Sequence, residues 1–137
     1  MPTIGVVEDN PDNRLLVRAI LEDLYDVEEY ETGREALEAF RTVPPDLVLL
    51  DISLPEMDGT EVLRHMRDDP GLSAIPVIAL TAHAMTGDRE KYLAEGFDDY
   101  LSKPIVEEEV LTGAIDRLLS RRLTSGSGET PGSAKGI

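Results

Sequence analysis

Three carboxylates, a hydroxyl and an ammonium stand in this chain just after short apolar runs. Glu8 and Asp9 follow Ile4-Gly5-Val6-Val7, Asp51 follows Leu47-Val48-Leu49-Leu50, and Thr81 follows Pro76-Val77-Ile78-Ala79-Leu80. Lys103 comes after Tyr100-Leu101, with Pro104 behind it. If those runs are strands of one sheet, their ends bring these side chains into one small pocket. Three carboxylates at close range repel one another, so such a cluster is costly when empty. A hard divalent cation with a preference for oxygen relieves that cost. Magnesium fits best, because it takes a few carboxylates and keeps positions for water and phosphate oxygens. Each residue alone has a plainer role: Asp9 and Asp51 could cap helices or sit in solvated turns, Thr81 could be an ordinary β-former, and Lys103 a solvated loop residue. The weight lies in the order: acids, acid, hydroxyl and lysine follow successive apolar runs.

The elements that must position them alternate in type. Asn10-Pro11 reads as a helix start with proline at the first helical position, and Leu15, Leu16, Ala19, Ile20 and Leu24 follow at helical spacing. Val27 to Tyr30 is a weak, polar strand suited to an edge. Thr32-Gly33-Arg34-Glu35 fits a capping box ahead of Ala36, Leu37, Ala39 and Phe40. Leu47 to Leu50 is wholly apolar, as a central parallel strand covered on both faces must be. Asp58-Gly59-Thr60-Glu61 caps a helix carrying Val62, Leu63 and Met66, and Pro76 to Leu80 is the next buried strand. Thr86 to Glu95 reads as a helix stopped by Gly96. Tyr100-Leu101 is a short last strand, and Val106, Val110, Leu111, Ala114, Ile115, Leu118 and Leu119 form the apolar stripe of a final helix. Such alternation means an α/β fold: a doubly wound, five-stranded parallel sheet with five helices and right-handed crossovers. Ligands of such sheets lie outside the carboxyl ends of the strands.

Composition narrows the chemistry. The chain has 137 residues and no cysteine, so disulfides, thiol nucleophiles and thiolate metal sites are excluded. His65 and His83 are the only histidines and read as surface residues, which argues against a histidine metal site or a Ser-His-Asp triad. With 41% hydrophobic and 30% charged residues the sequence is that of a globular domain. No apolar run approaches the roughly 20 residues of a membrane helix. The start Met1-Pro2-Thr3-Ile4 has no basic region or cleavage site, so no signal peptide is read and the expected location is the cytoplasm. A net charge of −15 disfavours nucleic acid and anionic membranes and suits cationic partners or divalent cations. Thr124 to Ile137 offers glycine and serine but no apolar face, so a folded domain at residues 2–123 and a flexible tail at 124–137 are expected.

The motifs Val7-Glu8-Asp9-Asn10, Leu49 to Gly59 (LLDISLPEMDG), Leu80-Thr81-Ala82 and Leu101-Ser102-Lys103-Pro104 together resemble the receiver domain of bacterial two-component response regulators, over residues 3 to about 122. The resemblance implies the flavodoxin-like strand order 2-1-3-4-5, as in the chemotaxis regulator. It implies that Asp51 is the phosphoacceptor. Asp9, Asp51 and the Ser53 backbone carbonyl would ligate Mg2+, with Glu8, where the family more often has Asp, acting mainly through a metal-bound water. Lys103 would pair with Asp51 and then with the phosphoryl group. Thr81 and backbone amides near Ser53 and Ala82 would bind phosphoryl oxygens, and the Lys103–Pro104 bond would be cis. Tyr100 could simply be a half-exposed aromatic filling the groove beside the last strand; as a rotamer switch, Thr81 would move toward the phosphoryl oxygens and the Tyr100 ring would fill the vacated space from an outward position.

The expected function is a signalling switch that takes a phosphoryl group from a histidine kinase or histidine phosphotransfer protein and slowly hydrolyses it. It would be a monomer or weak dimer, and it would alter binding to a downstream protein. With no output domain read after residue 123, a single-domain regulator or shuttle, or an excised receiver, is expected. A haloacid-dehalogenase-like phosphatase would need a second acid where Ser53 stands. A flavodoxin-like electron carrier would need a hydroxyl- and glycine-rich phosphate loop where Glu8-Asp9 stands.

Overall fold

A computed structural model describes residues 1–82, 87–103, 105 and 107–127, with the backbone alone for 122–127. Strands and helices alternate throughout: β1 (Thr3–Val7), α1 (Pro11–Leu21), β2 (Asp26–Tyr30), α2 (Gly33–Thr42), β3 (Leu47–Asp51), α3 (Gly59–Asp68), β4 (Val77–Thr81), α4 (Asp88–Glu95), β5 (Asp99–Ser102) and α5 (Glu108–Ser127). All four strand pairings are parallel, and the sheet runs β2-β1-β3-β4-β5. This is the doubly wound, flavodoxin-like order expected from the sequence.

Strand alternation divides the core into two layers. Ile4, Val6, Leu47, Leu49, Ile78 and Leu80 face one side, against Val17 and Leu21 of α1 and Leu111, Ile115 and Leu118 of α5. Val7, Val48, Leu50, Val77 and Ala79 face the other, against Phe40 of α2, Leu63 and Met66 of α3 and Tyr92 of α4. Both faces of β3 are covered, so all five of its residues are buried. Burying one such aliphatic side chain is worth about 1.5–3 kcal/mol. β2 pairs on one side only and has polar, exposed positions, as an edge strand does.

Helix starts follow the expected chemistry with one difference. Asn10 caps α1 ahead of Pro11, its carboxamide oxygen accepting from the amides of Asp12 and Asn13. Asp58 and Glu61 form a complete capping box at α3. At α2 the Thr32 hydroxyl accepts from the Glu35 amide, but the Glu35 carboxylate accepts from the amide of Glu31 rather than Thr32.

Three helix expectations need correction. On α1, Leu15, Leu16 and Ala19 are exposed, as is Leu24 beyond the helix end, and the buried residues of the helix are Val17 and Leu21. The helix lies on the sheet along the Val17–Leu21 line, one turn apart, and Leu15 points away from it. Val110, expected in the α5 stripe, is 49% exposed, and Val106 lies outside the described residues. α4 begins at Asp88, after Gly87 in the left-handed region, and ends at Gly96 with φ 117°. At the other end of the chain, the α5 backbone continues to Ser127, four residues into the segment expected as a tail; no proline intervenes before Pro131.

Gly59 is required by close approach. A Cβ there would stand 2.4 Å from the Asp51 carbonyl oxygen and 2.8 Å from the Ile52 Cα. The bare backbone lets α3 start against the end of β3, and the Gly59 amide donates to the Ile52 carbonyl at 2.9 Å. Gly59→Ala should therefore cost about 1–3 kcal/mol, the usual range for forcing atoms into a filled space. Urea unfolding measures it, and a loss below about 0.5 kcal/mol, the scale of a surface substitution, would refute the close approach.

Candidate functional site

The strand ends converge as the order 2-1-3-4-5 requires. A cavity of about 370 Å³ opens at the carboxyl edge of the sheet, lined by Glu8, Asp9, Asn10, Asn13, Asp51, Ser53, Ala82 and Lys103. Backbone hydrogen bonds fix its floor. The Glu8 amide donates to the Tyr30 carbonyl (3.0 Å), the Ile52 amide to the Leu80 carbonyl (3.0 Å), and the Lys103 amide to the Thr81 carbonyl (2.8 Å). Thus the segments carrying Glu8, Asp51 and Lys103 are each tied to a neighbouring strand.

Asp51 is 2% exposed. One of its oxygens accepts from the Ser53 amide at 3.0 Å, and the other lies 3.1 Å from the Lys103 ammonium. The same ammonium is 2.9 Å from a Glu8 oxygen, and the other Glu8 oxygen accepts from the Asn10 amide at 3.1 Å. Burial, and then the neighbouring Asp51, push the Glu8 carboxyl up to about 7. Burial alone would lower the Lys103 ammonium, but its contacts with Glu8 and Asp51 outweigh that and raise it above its ordinary range. One fixed cation therefore faces a surplus of carboxylate.

Ligating oxygens of Glu8, Asp9 and Asp51 all lie within 4.8 Å of one another, with Glu8 and Asp51 buried and Asp9 exposed at the mouth. An all-oxygen, anionic donor set open to water on one side fits a hard divalent cation such as Mg2+ and does not suit a softer metal that prefers nitrogen or sulfur. Burial is the first cause of the raised Glu8 carboxyl, so its ionised form is costly there, and a cation beside it would lower that cost.

The remaining expected residues fall as follows. Ser53 lines the cavity beside Asp51. Thr81 is buried at the end of β4 and is not among the lining residues, although the next residue, Ala82, is. Tyr100 is half-buried on β5, with its ring inward where an outward position was expected before phosphorylation, because the Tyr92 ring offers it a stacking partner there. Its ring stacks on Tyr92 of α4 at 5.7 Å between centroids and 20° between planes. Its hydroxyl is shielded, and its nearest partner among the described residues, Ser102, falls short of hydrogen-bond geometry. His65 is exposed on α3, away from the cavity lining. His83 and Pro104 lie outside the described residues, and with them the expected cis bond.

Two contributions escaped the sequence reading. Asn13 reaches the cavity from the first turn of α1. Arg14 donates to the Glu8 carbonyl at 2.8 Å and pairs with Glu29 at 3.4 Å, bracing the end of β1 against β2. Both follow from helical phase: with the cap at Asn10, residues three and four further on swing back toward the strand end. The turn after Asp51 also holds Glu56 at φ 65°, in the left-handed region that crowds any Cβ.

Comparison with known proteins places this geometry. Residues 4–116 match the response regulator receiver domain family. The signal transduction histidine-protein kinase BarA of Escherichia coli (strain K12) is 45% identical over 109 residues, which are 79% of this chain but 12% of that protein. The polar-differentiation response regulator DivK of Brucella ovis is 46% identical over 108 residues, 75% of this chain and 85% of DivK. Among solved structures, the receiver domain of sensor histidine kinase PA1611 from Pseudomonas aeruginosa PAO1, which has a magnesium ion coordinated in its active site cleft, is 36% identical. It covers 87% of this chain and 98% of that one, with a TM-score of 0.79. With most of its length matched and its acidic strand-end cavity in place, the chain belongs to the response regulator receiver domains of two-component signalling.

Proposed function

We propose that this receiver is a phosphoacceptor switch. A phosphohistidine on a histidine kinase or histidine phosphotransfer protein delivers its phosphoryl group to Asp51, and the phosphorylated chain changes its binding to a downstream protein. The observation that carries this reading is the setting of Asp51: a buried carboxylate at the base of an open cavity, with Lys103 on one oxygen and the Ser53 amide on the other. An Asp51 oxygen attacks phosphorus; the new oxygen–phosphorus bond forms as the phosphorus–nitrogen bond breaks, and the imidazole leaves. Water later attacks the acyl phosphate, releasing inorganic phosphate and restoring Asp51. The chain modifies itself in this way and turns over no separate metabolite.

The remaining residues position charge, as phosphoryl transfer demands. Glu8, Asp9, Asp51 and the Ser53 backbone carbonyl would hold Mg2+, which supplies positive charge opposite the phosphoryl oxygens. Lys103, already beside Asp51, pairs with an oxygen of the transferred group. The Thr81 hydroxyl and the amides near Ser53 and Ala82 donate to the others. Thr81 moves toward the phosphoryl group and Tyr100 answers with a change of rotamer, so that phosphorylation is read on the face made by α4, β5 and α5. No helix among the described residues is long and apolar enough to cross a membrane. The acidic surface suits a protein partner in the cytoplasm and disfavours nucleic acid, and a monomer or weak dimer suffices for the chemistry.

Acetyl phosphate with Mg2+ should add one phosphoryl group, labile to base and hydroxylamine, and Asp51→Asn should take up none by mass spectrometry. Full labelling of that variant would sink the assignment of the nucleophile. Asp9→Ala should phosphorylate far more slowly, and excess EDTA should stop wild-type labelling; unchanged labelling in EDTA would mean that the carboxylates hold no metal. Thr81→Ala should still be phosphorylated on Asp51 yet lose most of the change in partner affinity brought by the phosphoryl analogue beryllofluoride. A full wild-type change in that variant would remove Thr81 from the switch.

A further inference from the structure

Tyr92 has no part in the chemistry above, yet it is the residue on which the Tyr100 ring rests. It projects from α4, is 9% exposed, and belongs to the core layer that includes Ala79, the cross-strand partner of Tyr100. Phe97 meets the Tyr92 ring edge-on, with centroids 5.8 Å apart and planes at 88°, and so fixes its orientation. Tyr100 then lies nearly parallel to Tyr92. Offset stacking of this kind favours one placement of the mobile ring over others. Against it stands the shielded Tyr100 hydroxyl, whose nearest partner, Ser102, falls short of hydrogen-bond geometry, and a buried hydroxyl so poorly satisfied favours leaving. The two tendencies oppose each other, as a two-state element requires.

The position of that ring has a consequence on the surface. A groove of about 410 Å³ runs beside β5, with Tyr100, Leu101 and Ile105 along its floor, Arg89 of α4 on one side and Val110 of α5 on the other. With Tyr100 stacked on Tyr92 the groove stands open; a ring swung outward would occupy it.

We infer that Tyr92 is a positioning residue for the switch: its ring holds Tyr100 inward and thereby keeps the groove between α4 and α5 open. The inference rests on the reading in which Tyr100 responds to the phosphoryl group on Asp51. It adds that α4 sets the balance of that response through one aromatic contact. An aliphatic side chain at position 92 would fill space without stacking, whereas phenylalanine would keep the ring.

The chain has four tyrosines, Tyr25, Tyr30, Tyr92 and Tyr100, so the full-length protein labelled with 3-fluorotyrosine gives four fluorine resonances, assigned by single Tyr→Phe variants. On addition of Mg2+ and beryllofluoride, the Tyr92 and Tyr100 resonances should shift together while those of Tyr25 and Tyr30 stay. Tyr92→Phe should leave the Tyr100 response intact, and Tyr92→Leu should lower the inward population of Tyr100 about tenfold, the scale of a lost aromatic pair. A Tyr100 response of wild-type size in Tyr92→Leu overturns the inference and leaves the switch standing. Should Tyr92→Leu not fold, the wild-type spectra decide alone, since a Tyr92 resonance that stays fixed while Tyr100 moves overturns it equally. Bound beryllofluoride gives its own fluorine signal: if it is present and Tyr100 is silent, the switch reading fails and this inference with it, and if it never appears, the assignment of Asp51 has failed first.

Discussion

The Lys103 ammonium stands 2.9 Å from Glu8 and 3.1 Å from Asp51, and these contacts let two buried carboxylates exist side by side. Ionised carboxylates taken out of water are among the most expensive groups a fold can hold, and a like-charged neighbour raises the cost. One lysine meets part of it. Glu8 shows what is left over, its carboxyl held at about 7 by burial and by Asp51. With Asp9 at the mouth, the cavity carries more negative charge than its own lysine balances. Such a site is built for positive charge that arrives from outside.

The fold is organised around keeping those groups in place. Five parallel strands end at one edge, and adjacent ends are joined by main-chain bonds: Glu8 to Tyr30, Ile52 to Leu80, Lys103 to Thr81. The Lys103 amide bond matters most, because it hangs the ammonium from the same strand end that carries the Thr81 hydroxyl. Gly59 lets α3 begin against the Asp51 backbone, and Arg14 ties the end of β1 to β2 through Glu8 and Glu29. Phosphoryl transfer asks a protein chiefly for placement and charge. Nearly every polar contact around this cavity supplies one or the other.

Much of this was legible in the sequence because strand ends are easy to mark. Wholly apolar runs such as Leu47 to Leu50 stop abruptly at an acid, and the alternation of strands with helices then dictates that the ends meet. The helices were harder. Leu15, Leu16 and Leu24 satisfy a helical spacing as well as Val17 and Leu21 do, and only the way α1 lies on the sheet decides between them. Asn13 and Arg14 escaped for a related reason: their role depends on where helical phase points a side chain, not on residue type. The Tyr92–Tyr100 stack joins two elements across a loop, and no local pattern announces it. The left-handed Glu56 is equally silent, since glycine or asparagine would have marked the turn where glutamate does not.

A carboxylate cluster kept for a divalent cation is an electrostatic burden in the apo protein. Thermal unfolding of wild type and Asp51→Asn at neutral pH, each with and without Mg2+, tests it most directly. Removing one charge should leave the metal-free variant at least as stable as wild type, and Mg2+ should raise the wild-type midpoint while raising the variant's little or not at all. A metal-free variant several degrees less stable than wild type, with an undiminished gain from Mg2+, would mean that the cluster is no burden and that Asp51 holds no cation.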